Sequence, residues 1–221
     1  MAVPVRTGVV IAIDGPAASG KSTVARLLAR RLKLAYVNSG AMYRAVTWWM
    51  QRQGADPNSP ESVVPLLGRM PIGCKIENAE SIIRIGDEDP GAALYDEAVN
   101  QNVSAIARIP EVRRLLVEMQ RECAKDHDLV MEGRDIGSVV FPDTHYKFYI
   151  DASPEVRARR RALQGQRDAI SERDRADTSR KTSPLTIAED AWVIDSSHLT
   201  IDGVVGEIIG RLKLKGLEVP E

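Results

Sequence analysis

Gly15-Pro16-Ala17-Ala18-Ser19-Gly20-Lys21-Ser22 stands between the apolar run Val9-Val10-Ile11-Ala12-Ile13 and a stretch in which Val24, Leu27, Leu28 and Leu32 recur at helical spacing. The run is continuous and rich in β-branched residues, the pattern of a strand buried on both faces. The spacing after it predicts a helix from Ser22 to about Leu32. A Gly-x-x-x-x-Gly-Lys-Ser segment that leaves a strand and opens a helix reads as a phosphate cradle. Its glycines let the loop wrap closely, so that successive backbone N–H groups face phosphate oxygens. The helix N-terminus adds partial positive charge. Gly15 through Thr23 are therefore the expected ATP phosphate site. Lys21 is expected to reach the β- and γ-phosphates, and the Ser22 hydroxyl to ligate Mg²⁺.

Outward from this loop, strands alternate with helices. Leu34–Val37 reads as a short strand, and Ala41–Gln53 as a helix ended by Gly54. Asp128–Met131, Tyr146–Ile150 and Trp192–Ile194 read as further buried strands. Glu111–Ala124 and Val204–Leu214 have helical periodicity. The alternation argues for an α/β fold, about five parallel strands with helices on both faces. Residues 58–102 break the rhythm. They are rich in turn-formers and hold two strand-like pieces, Ile72–Glu77 and Ser81–Ile85, joined by a hairpin at Asn78-Ala79-Glu80. The expected organisation is a core over 1–57, a small β-containing insertion over 58–102, and the core resumed over 103–221. From Arg157 to Lys181 there are nine basic residues against four acidic ones.

Composition excludes several classes. The 221 residues are 43% hydrophobic and 28% charged, enough for one sizeable core. Basic and acidic residues number 30 and 31, a balance that disfavours a globally basic nucleic-acid binder. The two cysteines, Cys74 and Cys123, make neither a disulfide framework nor a metal site. Asp14 interrupts the first apolar run far short of the ~20 residues a membrane span needs, and no signal-peptide pattern is present. A cytoplasmic protein is expected.

The phosphate cradle alone names no acceptor. An Asn-Lys-x-Asp guanine reader is absent, and the strand Leu129-Val130-Met131 runs into Glu132-Gly133-Arg134-Asp135. An arginine there suits a second anion opposite the nucleotide, as in a small-molecule kinase. Asn38-Ser39-Gly40-Ala41-Met42-Tyr43-Arg44 lies at another strand-to-helix junction. Ser104 and Arg113 flank a helix start marked by Pro110. Arg173, Asp177 and Arg180 share one stripe if helical. Each cluster also has a plainer reading: a helix cap for Ser39, a core position for Tyr43, a local pair for Arg134 and Asp135, a solvated ion-pair face for Arg173, Asp177 and Arg180.

Together these segments make the sequence resemble the bacterial cytidylate kinase family over nearly the whole chain. The resemblance rests on Ala12-Ile13-Asp14-Gly15-Pro16, Ser39-Gly40-Ala41-Met42-Tyr43-Arg44, Glu132-Gly133-Arg134-Asp135-Ile136-Gly137 with Val140-Phe141-Pro142-Asp143, Asp151-Ala152-Ser153, Glu172-Arg173-Asp174 and Asp195-Ser196-Ser197. It implies a P-loop nucleoside monophosphate kinase that uses ATP with Mg²⁺ to phosphorylate CMP or dCMP. By the same resemblance Ser39, Arg113, Asp135 and Arg180 read cytosine, and Arg44, Arg134 and Arg180 hold the CMP phosphate. Ser104, Arg173 and Asp177 meet the ribose, and Lys21, Arg134, Arg157 and Arg161 stabilise the transferring charge. Residues 58–102 become the monophosphate-binding insertion. A short lid, about 157–172, carries Arg157, Arg159, Arg160 and Arg161 over ATP. The chain departs from the family twice: Asn38 replaces a usual aspartate, and the stretch between Arg161 and Glu172 is short.

A phosphate monoester needs no general base, because its second pKa lies near ~6. His127, His145 and His198 are accordingly expected to have no chemical role. ATP and CMP or dCMP are the expected partners of a monomer, with no nucleic acid and no membrane. The competing readings are a kinase for UMP, AMP or shikimate, and a nucleotide-binding RNA-associated module using the Arg157–Lys181 patch. Aromatic residues at 5% weigh against the second.

Overall fold

Five parallel strands carry the molecule: β1 (Val10–Asp14), β2 (Ala35–Asn38), β5 (Leu129–Gly133), β6 (Tyr146–Asp151) and β7 (Trp192–Asp195). The structure, a computed structural model, describes residues 8–163, 174–175, 177–180 and 185–220. The alternation in β1 explains its unbroken apolar run. Val10 and Ala12 face a cluster with α2 (Ser39–Arg52) and α5 (Pro110–Cys123), through residues such as Met42, Val46, Val112 and Leu116. Ile11 and Ile13 face α1 (Lys21–Leu32) and the last described helix, Ile201–Leu214, through Val24, Leu28, Val205 and Ile208. Each fully buried Val, Ile, Leu or Met among them contributes about 1.5–3 kcal/mol. A polar residue inside β1 would disrupt one layer or the other.

The expected hairpin is present, but it joins the core sheet. Asn78 and Ala79 both have positive φ, 52° and 60°, as a two-residue hairpin turn requires. Glu80 therefore belongs to the second strand rather than to the turn. β3 (Ile72–Glu77) pairs antiparallel with β4 (Glu80–Ile85), and β4 meets β2 in parallel through Tyr36 and Glu80. The sheet among the described residues thus has seven strands, in the order β3-β4-β2-β5-β1-β6-β7. Cys74 on β3 and Cys123 on α5 are free thiols, 3.4 Å apart.

Residues 58–102 also hold helices that their turn-rich composition conceals. α3 (Pro60–Leu67) starts at Ser59, whose hydroxyl accepts from the Ser62 N–H at 3.3 Å. Pro60 occupies the favoured first turn, and Pro65 interrupts the pattern. A 3₁₀ turn spans Gly91–Tyr95, and α4 (Glu97–Ile106) buries Val99, Val103 and Ile106. The boundary expected at 102 falls within α4.

Parallel strands place their C-terminal ends along one edge. The loop after β1, the start of α2, and Arg134 and Asp135 after β5 all emerge there. Because β5 and β6 flank β1 on opposite sides, that edge is the crevice where α/β sheets bind ligands.

Candidate active site

The phosphate loop turns sharply out of β1. Gly15 has φ 153°, and a Cβ there would come 2.1 Å from Ile150 O. Gly20, at φ 91°, precedes α1 and makes no side-chain cap, so the first N–H groups of α1 remain available to an anion. Lys21 is buried. Its Nζ donates to Pro16 O at 3.1 Å and lies 3.9 Å from Glu132 Oε2.

One cleft of about 440 Å³ joins this loop to the acceptor residues expected from sequence. Ala17, Ala18, Gly20, Lys21, Ser22 and Thr23 line one part. Ser39, Arg44, Ser104, Arg113, Arg134, Asp135, Asp177 and Arg180 line the remainder, and Arg161 also reaches the cleft. Gly15, Pro16 and Ser19 support the loop without lining it. Arg173 lies outside the described residues, as do residues 164–172 of the expected lid. Arg157 does not line the cleft either: its guanidinium lies behind the phosphate loop, donating to Ala17 O at 3.3 Å and Ala152 O at 3.0 Å.

Ion pairs organise the acceptor side. Arg113, from α5, pairs with Asp135, and both are buried. The Asp177 carboxylate takes Arg134 Nε at 2.8 Å and Arg180 as a second partner. The stripe foreseen for Asp177 and Arg180 survives as this pair, although Arg180 lies beyond the helical residues. Arg44 donates to Asn100 Oδ1 at 2.7 Å and Leu94 O at 3.1 Å, with its guanidinium 5.0 Å from the centre of the Tyr95 ring. Asn38 caps α2, accepting from the Ala41 N–H at 3.0 Å. Ser39 is thereby released from the capping role; its hydroxyl donates to Glu132 O at 2.7 Å. Tyr43 satisfies both of its readings, being buried and lining the cleft beneath Arg113.

Three residues escaped the sequence reading as parts of this site. Glu132 is a buried carboxylate in the cleft. Asp14 accepts from the Ile136 and Gly137 N–H groups, each at 2.8 Å, and so fixes the turn after Asp135. Asn100 holds Arg44. The available signal for the first two was an acidic residue at or next to the end of each central strand, a costly choice in a buried run unless it is partnered. Asn100 carried no comparable signal.

Gly133 is set by space rather than by backbone conformation. A Cβ there would come 2.6 Å from Ser39 Oγ and 2.7 Å from Ile136 Cδ1. Gly133→Ala should therefore cost about 1–3 kcal/mol of stability and push Ser39 out of line. Thermal unfolding together with the KM for the acceptor checks this; an unchanged Tm and KM would show that the site yields freely.

Burial pushes the Lys21 ammonium down to about 7, helped by the positive charge of Arg134 and opposed by Glu132, Asp177 and Asp14. Without bound phosphate, Lys21 is thus largely neutral at pH 8. Bound phosphates supply negative charge and favour its protonated form. MgATP binding at pH 8 should take up a proton, approaching one per site, and affinity should fall as pH rises above 7. Titration calorimetry in buffers of differing ionisation enthalpy measures this, and zero uptake at pH 8 would contradict it.

The family model for cytidylate kinase matches residues 11–214, spanning the phosphate loop and every acceptor residue named above. The chain belongs to the cytidylate kinase family. Among curated relatives, the cytidylate kinase of Streptomyces griseus subsp. griseus is 40% identical over 209 residues, covering 90% of each chain. That of Clostridium botulinum (strain Loch Maree / Type A3) is 42% identical over 214 residues, 92% of this chain and 97% of its own. That of Lactiplantibacillus plantarum is 41% identical over 209 residues, 90% and 92%. Family membership and the local geometry meet in the same cleft.

Proposed function

We propose that the protein transfers the γ-phosphoryl group of ATP to CMP or dCMP, giving ADP and CDP or dCDP. The observation that carries this reading is the single cleft running from the phosphate loop to the paired arginines and carboxylates. Within it, Arg113 Nε and Arg180 Nε are buried and have no hydrogen-bond partner among the described residues. Unpaired buried donors are costly, and a cytosine offers acceptors at N3 and O2 to both. Asp135 and the Ser39 hydroxyl accept from the exocyclic amino group. An apolar slot would give no such discrimination.

Arg44, Arg134 and Arg180 hold the CMP phosphate. Ser104 and Asp177 meet the sugar hydroxyls, with Arg173 as their third member. The attacking phosphate oxygen is already anionic at neutral pH, so no side chain need remove a proton. The task is to bring two polyanions together and to stabilise the charge of the transferring group. Lys21, the loop N–H groups, Arg134 and Arg161 do so in a partly enclosed site, where each charge counts for more than in water. Hard oxygen ligands suit Mg²⁺, and the Ser22 hydroxyl in the cleft would hold the ion together with the ATP phosphates. Bound there, Mg²⁺ neutralises phosphate charge. The same reading has the protein acting as a monomer in the cytoplasm.

Phosphorus NMR of the protein with MgATP and CMP tests the reaction. ADP and CDP should accumulate without inorganic phosphate. Conversion of ATP to ADP and inorganic phosphate, with CMP untouched, would refute it. Salt-sensitive RNA binding without transfer to any acceptor would favour the RNA-associated alternative.

A further inference from the structure

Asp174 and Arg157 are joined behind the phosphate loop, away from the cleft. Arg157 is 7% exposed and uses its guanidinium in three directions: Ala152 O at 3.0 Å, Ala17 O at 3.3 Å and Asp174 Oδ2 at 2.6 Å. The contact to Ala17 O has a consequence for the loop. A trans peptide is planar, with its C=O and N–H pointing in opposite directions. A guanidinium that holds the Ala17 carbonyl on the outside therefore turns the Ala18 N–H inward, and Ala18 lines the cleft. The neighbouring carbonyl is treated alike. Ser19 O accepts from Arg160 at 3.1 Å and from Ser196 Oγ at 2.8 Å, which turns the Gly20 N–H inward.

Asp174 also belongs to the acceptor side. Three residues on, Asp177 takes Arg134 and Arg180. Close by, Thr178 Oγ1 donates to Asp174 O at 2.7 Å and the Ser179 N–H donates to Arg175 O at 2.9 Å. Two carboxylates three residues apart on the chain thus reach both sides: Asp174 the donor loop through Arg157, and Asp177 the acceptor-side residues Arg134 and Arg180.

We propose that Asp174 is a positioning residue: through Arg157 it aims the Ala18 N–H at the nucleotide and ties that aim to Asp177, so that the two substrates bind cooperatively. This rests on the kinase reading above. An ion pair serving stability alone would weaken the fold without changing the dependence of one ligand on the other. Aimed N–H groups, in contrast, make the affinity for ATP depend on whether the acceptor arginines are engaged.

The test is calorimetric binding of a non-hydrolysable MgATP analogue, with and without saturating CMP. Saturating CMP should tighten the analogue about tenfold in the wild type, within the usual range of such coupling. Asp174→Asn keeps the shape and loses the charge, and should bring that factor below about twofold. Asp174→Glu should restore most of it. An equal factor in wild type and Asp174→Asn, or a fall in Tm with the factor intact, overturns the proposal. Should Asp174→Asn fail to fold, Asp174→Glu and Arg157→Lys carry the test; wild-type coupling in Arg157→Lys, whose single ammonium cannot make all three contacts, would overturn it equally. Transfer to CMP is assayed in the same wild-type sample, and its absence would instead refute the kinase reading.

Discussion

Lys21→Met is expected to lower kcat/KM for phosphoryl transfer by about 10³-fold, the scale of removing a group aimed at transition-state charge. Methionine keeps the apolar stem within the buried space and removes the ammonium. The loss should fall mainly on kcat, because the charge that Lys21 faces grows as the γ-phosphoryl group moves between oxygens. Stability should move the other way or stay level. Lys21 titrates well below an ordinary lysine because burial penalises its charge. The folded state therefore binds fewer protons at this group than the unfolded state between pH 7 and 10.5, so the destabilisation from the buried ammonium is full below pH 7 and fades as pH rises through that window. An inactive variant with Tm at or above the wild-type value supports this account. A large fall in Tm would recast Lys21 as a structural donor to Pro16 O. The same variant should lose the proton uptake on MgATP binding.

Arg180→Met is expected to lower kcat/KM for CMP by about 10²- to 10³-fold, with most of the effect in the KM for CMP and little in the KM for ATP. Removing one member of a buried, hydrogen-bonded charge pair costs about 2–5 kcal/mol when its partner is left alone. Here the partner is not left alone. Asp177 also holds Arg134 Nε at 2.8 Å, so its carboxylate stays compensated and the fold should survive. The catalytic loss then reports on the contact with substrate. Circular dichroism and thermal unfolding establish folding, and steady-state kinetics with each substrate varied establish the split. Unaltered use of CMP would remove Arg180 from the base and phosphate sites.

Much of this architecture was legible because it obeys local rules. The apolar run of β1, the helical spacing after Ser22 and the glycine-rich turn between them each dictate their own conformation, and the five parallel strands follow from the same alternation. Residues 58–102 were harder to read. Pro65 lies inside α3, and α4 is short and has no side-chain hydrogen bond at its N-cap, so packing against α2 decides what spacing could not. The sheet grew to seven strands through the single bridge between Tyr36 and Glu80, a long-range pairing with no local signature. In the site, the arginines and carboxylates stood out as charges beside strand ends. Their pairing did not. That Asp177 holds Arg134 as well as Arg180, that Asp14 braces the turn after Asp135, and that Arg157 holds the loop from behind all rest on contacts that include segments distant in sequence. The capping amide of Asn38 shows that the loss of a charge there leaves the start of α2 intact.

The central claim is that this cleft accepts cytidine monophosphates. The most direct measurement is kcat/KM from ADP release with saturating MgATP and a panel of CMP, dCMP, UMP, AMP and shikimate. CMP or dCMP should exceed every other acceptor, because of this panel only cytosine carries an amino group for Asp135 and Ser39 on the same pyrimidine edge as N3 and O2 acceptors for Arg113 and Arg180. A clear preference for UMP, AMP or shikimate would contradict the account.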